Sequence, residues 1–238
     1  MPKFNSSSFF ICLFALAALF LSACDNGRVA ERQPASQPET VKAATPQVAA
    51  TPAVNDKRPL IVALGDSLTA GYNLPMEQAW TSLLQQRLDE KGMKYRVVNK
   101  GVSGDTSRGG LDRLNDALQG DVRILIVALG GNDMLRGLSV ADLRANLTRI
   151  IDSARERKIQ VVLAGMEAPP NLGADFQQEF RDVYRDLAKE KKLTLIPFFL
   201  QNVGGVASLN LPDGIHPNAK GQALVMENIW KALERLLI

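Results

Sequence analysis

Hydrophobic and polar positions divide the chain into three stretches. Residues 1–23 hold Lys3 followed by an apolar run from Phe9 to Phe20. A run of that length is too short to span a bilayer and suits the core of a secretory signal. Residues 24–58 carry Pro34, Pro38, Pro46 and Pro52 among Ala, Gln, Thr and Val, and no helical or alternating period persists there. Such a composition buries too little apolar surface to offset the entropy of ordering, and it predicts a tether. From Pro59 to Ile238 the pattern changes to that of one folded domain of ordinary size.

Within the domain, short β-branched and apolar runs alternate with segments of helical period. The runs Leu60–Leu64, Tyr95–Val98, Ile124–Leu129, Ile159–Leu163 and Leu193–Phe198 predict five strands apolar on both faces. Between and after them, Leu143, Leu147, Ile150, Ile151 and Ala154 share one helical face, as do Phe176, Phe180, Val183, Tyr184 and Leu187. Met226, Ile229, Trp230, Leu233 and Leu237 do the same in the last segment. Strands alternating with amphipathic helices predict an α/β fold: a three-layer α/β/α sandwich around a five-stranded parallel sheet.

Each predicted strand runs into polar or turn-forming residues. The first is followed by Gly65-Asp66-Ser67, the second by Gly101 to Asp105 and the third by Gly130-Gly131-Asn132-Asp133. The fourth leads to Pro169-Pro170-Asn171, and the loop after the fifth holds Asp213 and His216. In open α/β sheets ligands bind outside the carboxyl ends of the strands, so these groups are expected on one rim. His216 is the only histidine in the chain. Alone it would be ordinary; on a rim with Ser67 it is a candidate base. Serine needs a neighbouring base to become a nucleophile, and a histidine base needs a carboxylate to set its tautomer. Asp213, three residues earlier, would reach the ring across a helix-like turn. The backbone N–H groups of Ser67 and Gly104 and the side-chain amide of Asn132 are candidate donors to a developing oxyanion. Each fragment read singly has a plainer meaning. Gly-Asp-Ser can be a turn capped by Asp66, Gly104 a glycine for its φ alone, and Asp213–Asn218 a loop leading into the last helix.

Taken together, Gly65–Tyr72 (GDSLTAGY), Ser103–Ser107 (SGDTS), Gly130–Asp133 (GGND) and Asp213–Asn218 (DGIHPN) resemble the blocks of the SGNH, or GDSL, hydrolases, intact and in order over residues 60–238. The resemblance is narrower to the periplasmic acyl-CoA thioesterase/lysophospholipase and arylesterase branch. It implies a flavodoxin-like sheet and a serine esterase acting through an acyl-enzyme. Ser67, Asp213 and His216 would be catalytic, and Ser67, Gly104 and Asn132 would form the oxyanion hole. It further implies no cofactor, no metal, and a small acyl ester or thioester as substrate. Carbohydrate O-deacetylation is the alternative substrate class, and an inactive lipid-anchored binding module the alternative role. Met134, Leu135 and Pro169 are expected to contact substrate, in an apolar groove with Leu138, Leu172 and Leu209. The segment Met166–Asn171 departs from the relatives' groove, which leaves the preferred acyl length open.

Leu21-Ser22-Ala23-Cys24 resembles the lipobox of bacterial lipoproteins. That implies a signal peptide over 1–23, a lipid on Cys24, a tether over 24–58 and a hydrolase domain over 59–238. The expected location is a membrane-anchored lipoprotein facing the periplasm of a Gram-negative bacterium, acting as a monomer. Composition narrows the chemistry further. Of two cysteines, Cys12 would leave with the signal and Cys24 would be lipidated, which excludes a mature thiol catalyst or a Cys-ligated zinc. Net charge is +3 without a basic stripe, so no nucleic-acid partner is expected. No GxxxxGK[ST] loop, HExxH pair or GxSxG elbow is present.

Overall fold

A computed structural model of the chain describes residues 56–237. The expected leader, Cys24 and nearly all of the expected tether lie outside these residues. The domain starts with β1 (Leu60–Gly65), whose six residues are all buried. A short helix α1 (Ser67–Ala70), then α2 (Trp80–Glu90), leads to β2 (Arg96–Gly101). Helices α3 (Ser107–Asp112) and α4 (Leu114–Ala117) precede β3 (Val122–Ala128). Next come α5 (Gly131–Leu135), α6 (Val140–Glu156), β4 (Gln160–Ala164) and α7 (Ala174–Lys191). The last strand is β5 (Thr194–Ile196) and the last α-helix α8 (Ala219–Leu233).

All neighbouring strands pair in parallel, in the order β2-β1-β3-β4-β5. This is the flavodoxin-like order, and chain direction switches between β1 and β3, where such sheets open a crevice at their carboxyl ends. The expected strands all form, with boundaries that shift for physical reasons. β1 and β3, in the middle of the sheet, are buried almost throughout. β2 is an edge strand of half-buried residues, so it continues through polar Asn99 and Lys100, beyond the apolar run. β5, the other edge, stops at Ile196 because Pro197 has no N–H to continue the ladder.

The helical faces pack as their spacing predicts. α6 buries Leu143, Leu147, Ile150, Ile151 and Ala154. α7 buries Phe180, Val183, Tyr184 and Leu187, with Phe176 half-buried against the same core. The α8 face continues past the helix: Leu237 is buried beyond a final 3₁₀ turn. Caps set the helix starts. Ser139 accepts from the Asp142 N–H at 3.3 Å, and Asn218 accepts from Lys220 and Gly221 at 3.0 and 3.1 Å. Because Asn218 stands two residues after His216, its cap also fixes the end of the histidine loop.

Candidate active site

Ser67 is the first residue of α1, separated from the end of β1 by Asp66 alone. The helix is capped by Asp66, whose carboxylate accepts the Leu68 N–H at 3.0 Å. The carboxylate of Asp66 is buried, and burial pushes its pKa up to about 6. The opening of α1 turns the Ser67 hydroxyl toward the rim. His216 comes from the far end of the chain, and its Nε2 lies 2.9 Å from Ser67 Oγ. Its Nδ1 lies 2.8 Å from Asp213 Oδ2.

The Asp213–His216 segment is not the helix-like turn expected from its spacing. Asp213 Oδ1 accepts the backbone N–H of Ile215 at 2.9 Å and of His216 at 3.0 Å, an Asx-type turn in which Gly214 takes φ +71°. The Leu211 N–H donates to His216 O at 2.7 Å, and Asn210 bridges Pro217, so the loop is closed on itself. Those two backbone donors, and then the histidine ring, hold the Asp213 pKa down to about 2. The carboxylate is therefore ionised at neutral pH. Tyr72 leans on the imidazole, ring centroids 4.3 Å apart and planes inclined by 32°.

Gly104 and Asn132 approach from β2 and β3. Gly104 takes φ +84°, a conformation L side chains rarely adopt. Among the described residues, no backbone carbonyl or side chain accepts the N–H of Ser67 or Gly104. Asn132 Nδ2 donates to Asp105 O at 2.9 Å and stands 3.4 Å from Asp66 Oδ2. Two hydrogen-bonded devices set the spacing of these groups. Arg113 donates from Nε to Asp105 Oδ2 at 2.5 Å, from Nη1 to Lys100 O at 2.8 Å and from Nη2 to Gly65 O at 2.9 Å. It thereby ties the ends of β1 and β2 to the loop that carries Gly104. On the other side, Asp133 accepts the N–H and hydroxyl of Ser107 at 2.7 and 2.5 Å, and Asn146 donates to the same hydroxyl at 3.0 Å. Asp133 thus locks the start of α3 to α5. Farther down, the Tyr184 hydroxyl donates to Leu129 O at 2.9 Å, directly under Gly130, where φ is +117° and a Cβ would strike that hydroxyl.

A cavity of about 550 Å³ opens above Ser67 and His216. Met134, Leu135 and Pro169 line it, as does Met166 from the segment expected to shape the groove; Phe198 and Ile215 line it as well and were not expected to. Leu138, Leu172 and Leu209 do not line it, contrary to expectation. Leu138 and Leu172 point outward and are exposed, while Leu209 is half-buried against the core. Tyr72 and Arg113 were also missed. Tyr72 had a signal, since it closes the GDSLTAGY stretch. Arg113 had none, because its three acceptors come together only in the tertiary structure.

Four carboxylates of the rim are engaged by protein groups: Asp66 by Leu68, Asp105 by Arg113, Asp133 by Ser107, Asp213 by His216. Among the described residues, no three His, Cys, Asp or Glu side chains group as metal ligands would. The arrangement can move a proton from a serine hydroxyl to an imidazole backed by a carboxylate, with the N–H groups of Ser67 and Gly104 and the amide of Asn132 on the same rim.

Residues 63–224 match the GDSL-like Lipase/Acylhydrolase family. The chain belongs to this family. It is 44% identical over 178 residues to Esterase TesA of Pseudomonas aeruginosa, covering 74% of this chain and 89% of the relative. It is 36% identical over 178 residues to Thioesterase 1/protease 1/lysophospholipase L1 of Escherichia coli, covering 74% of this chain and 84% of that one. The crystal structure of TesA superposes with a TM-score of 0.73 at 43% identity, covering 76% of this chain and all of the other. Family membership and these relatives make this GDSL acylhydrolase an ester hydrolase.

Proposed function

We propose that this acylhydrolase cleaves medium-chain acyl esters and thioesters through a covalent acyl-Ser67 intermediate. The observation that carries the proposal is the continuous path Ser67 Oγ–His216–Asp213, at 2.9 and 2.8 Å, at the foot of a mainly apolar cavity. Ser67 Oγ adds to the acyl carbon as its proton passes to His216 Nε2. The carbonyl oxygen takes the negative charge and is met by the N–H groups of Ser67 and Gly104 and by Asn132 Nδ2. Asp213 stabilises the imidazolium. The intermediate collapses: the bond to the leaving oxygen or sulfur breaks, and His216 returns its proton to that atom. Water then repeats the sequence on the acyl-serine, and the carboxylic acid leaves.

Met134, Leu135 and Pro169 would hold the acyl chain. A cavity of about 550 Å³ exceeds what an acetyl group fills, which favours longer acyl groups over carbohydrate O-acetyl groups. Each methylene taken from water contributes at most about 0.8 kcal/mol, so the four between butanoyl and octanoyl raise kcat/KM by up to roughly 200-fold. The test is a series of p-nitrophenyl esters from acetyl to dodecanoyl together with acyl-CoA and acetylated xylan, with Ser67→Ala as control. Specificity that peaks at acetyl, or activity on the sugar ester alone, would transfer the reading to a deacetylase. No labelling of wild-type Ser67 by a phosphonate ester would remove the nucleophile. The lipid on Cys24 and a periplasmic location, supported by Leu21–Cys24 and the composition of 25–58, complete the proposal.

A further inference from the structure

Among the described residues, the large apolar side chains left exposed are distributed very unevenly. Val102 follows β2; Leu135 and Leu138 follow β3; Leu172 follows β4; Val206 and Ile215 follow β5. In a parallel sheet these loops lie at one end of the molecule, the end that holds Ser67. Exposed Tyr72 and Met76 follow β1 at that same end. Among the described residues, the one other large apolar side chain exposed to this degree is Leu224, on the flank of α8. Leu135 and Ile215 line the cavity, and Val102, Leu138, Leu172 and Val206 each stand within three residues of a lining residue. The apolar wall of the cavity therefore continues outward as a ring around its mouth. Singly exposed apolar residues need no explanation, but their gathering on the loops around one site marks an interaction surface.

The chain outside the described residues indicates what that surface meets. It enters the fold at the amino end of β1, the end of the sheet opposite to the mouth. A short link to a lipid on Cys24 would aim the mouth away from the bilayer. The segment 25–58 extends to roughly 110 Å, and half the circumference of a domain this size is about 65 Å. The link is long enough to pass around the domain and let the mouth face the membrane that holds the anchor.

We propose that the ring of Val102, Leu138, Leu172 and Val206 seats the mouth of the active site on the phospholipid bilayer, so that acyl substrate enters from the membrane rather than from water. This rests on the esterase reading above. The four side chains lie outside the cavity lining, so replacing them with serine leaves the catalytic groups in place.

The experiment uses the full lipidated chain in phosphatidylcholine vesicles, wild type against Val102→Ser/Leu138→Ser/Leu172→Ser/Val206→Ser. Two substrates are compared: water-soluble p-nitrophenyl butyrate, and p-nitrophenyl palmitate carried in the vesicle. The variant should keep its rate on the soluble ester within about twofold and lose about tenfold or more on the vesicle-borne ester, since apolar area at the interface sets the docking strength. Equal rates of variant and wild type on the vesicle-borne ester would overturn the proposal. A second measurement does not depend on turnover. Leu172→Trp should be quenched by brominated phosphatidylcholine, and an unquenched signal overturns the proposal, leaving a protein partner for the ring. A wild-type enzyme inactive on soluble butyrate would instead strike at the esterase reading, which keeps the two failures distinct.

Discussion

Asp213→Asn tests how the histidine is set, and the structure dictates the outcome. Asp213 Oδ1 is held by two backbone N–H donors, at 2.9 and 3.0 Å, while Oδ2 faces His216 Nδ1 at 2.8 Å. An asparagine at this position must leave its oxygen with the two N–H groups, because turning the amide over would set its NH₂ against them. Its nitrogen then faces Nδ1 as a donor, and Nδ1 must become an acceptor. The ring proton moves to Nε2, the atom that has to take the proton of Ser67. The loop stays closed while the base is disabled. In a serine triad this wrong-tautomer substitution lowers kcat by about 10⁴, equivalent to roughly 5.5 kcal/mol at the transition state. Asp213→Ala should lose a similar factor and in addition loosen the loop. Two assays apply: kcat on p-nitrophenyl butyrate, and ¹⁵N resonances of the imidazole. The second is free of overlap because the chain has one histidine. The wild type should show the proton on Nδ1 and Asp213→Asn the proton on Nε2. A variant that keeps kcat within tenfold, or a ring whose tautomer does not change, refutes the reasoning.

Asn132→Ala should lower kcat 100- to 1000-fold and leave KM nearly unchanged, since the charge its amide meets develops only on the way to the intermediate; a raised KM with kcat intact would make Asn132 a binding residue only. Asp66 has its pKa raised by burial from 3.8 to about 6, so the folded state holds its proton more tightly than the unfolded state. The sign follows: stability falls as pH rises from about 4 through 6, by at most about 3 kcal/mol, and Asp66→Asn should flatten that slope in urea titrations at each pH. Tyr184→Phe leaves Leu129 O without its donor in a buried place, which should cost about 1–3 kcal/mol and lower the melting temperature by several degrees in calorimetry. Cys24→Ala should move the protein out of washed membranes with its soluble-ester activity kept, and retention in the membrane would count against the lipid.

The amino-acid sequence by itself determined the layers and the cast of groups on the rim. Continuous apolar runs and period-3.6 spacing are local, so β1, β3 and the buried faces of α6 and α7 were legible from the placement of their apolar residues alone. The rule that strand ends converge placed Ser67, Gly104, Asn132, Asp213 and His216 on one rim before any coordinates. The edges were less legible. β2 and β5 have one neighbour each, and their length depends on which strand lies beside them and, for β5, on Pro197. The groove was misjudged at Leu138, Leu172 and Leu209 for a related reason: an apolar residue near a site can face the cavity, the core or the solvent, and loop conformation alone decides among the three. The geometry of the candidate site is likewise tertiary. Asp213 meets its ring through an Asx-type turn rather than a helical one because its carboxylate takes two backbone donors that only the folded loop presents. Arg113 meets Gly65, Lys100 and Asp105 from three separate segments, an arrangement with no period or motif to reveal it. Hydrophobic patterning records what is buried, whereas the distances that would let Ser67, His216 and Asp213 act as one unit arise only when the strand ends are brought together.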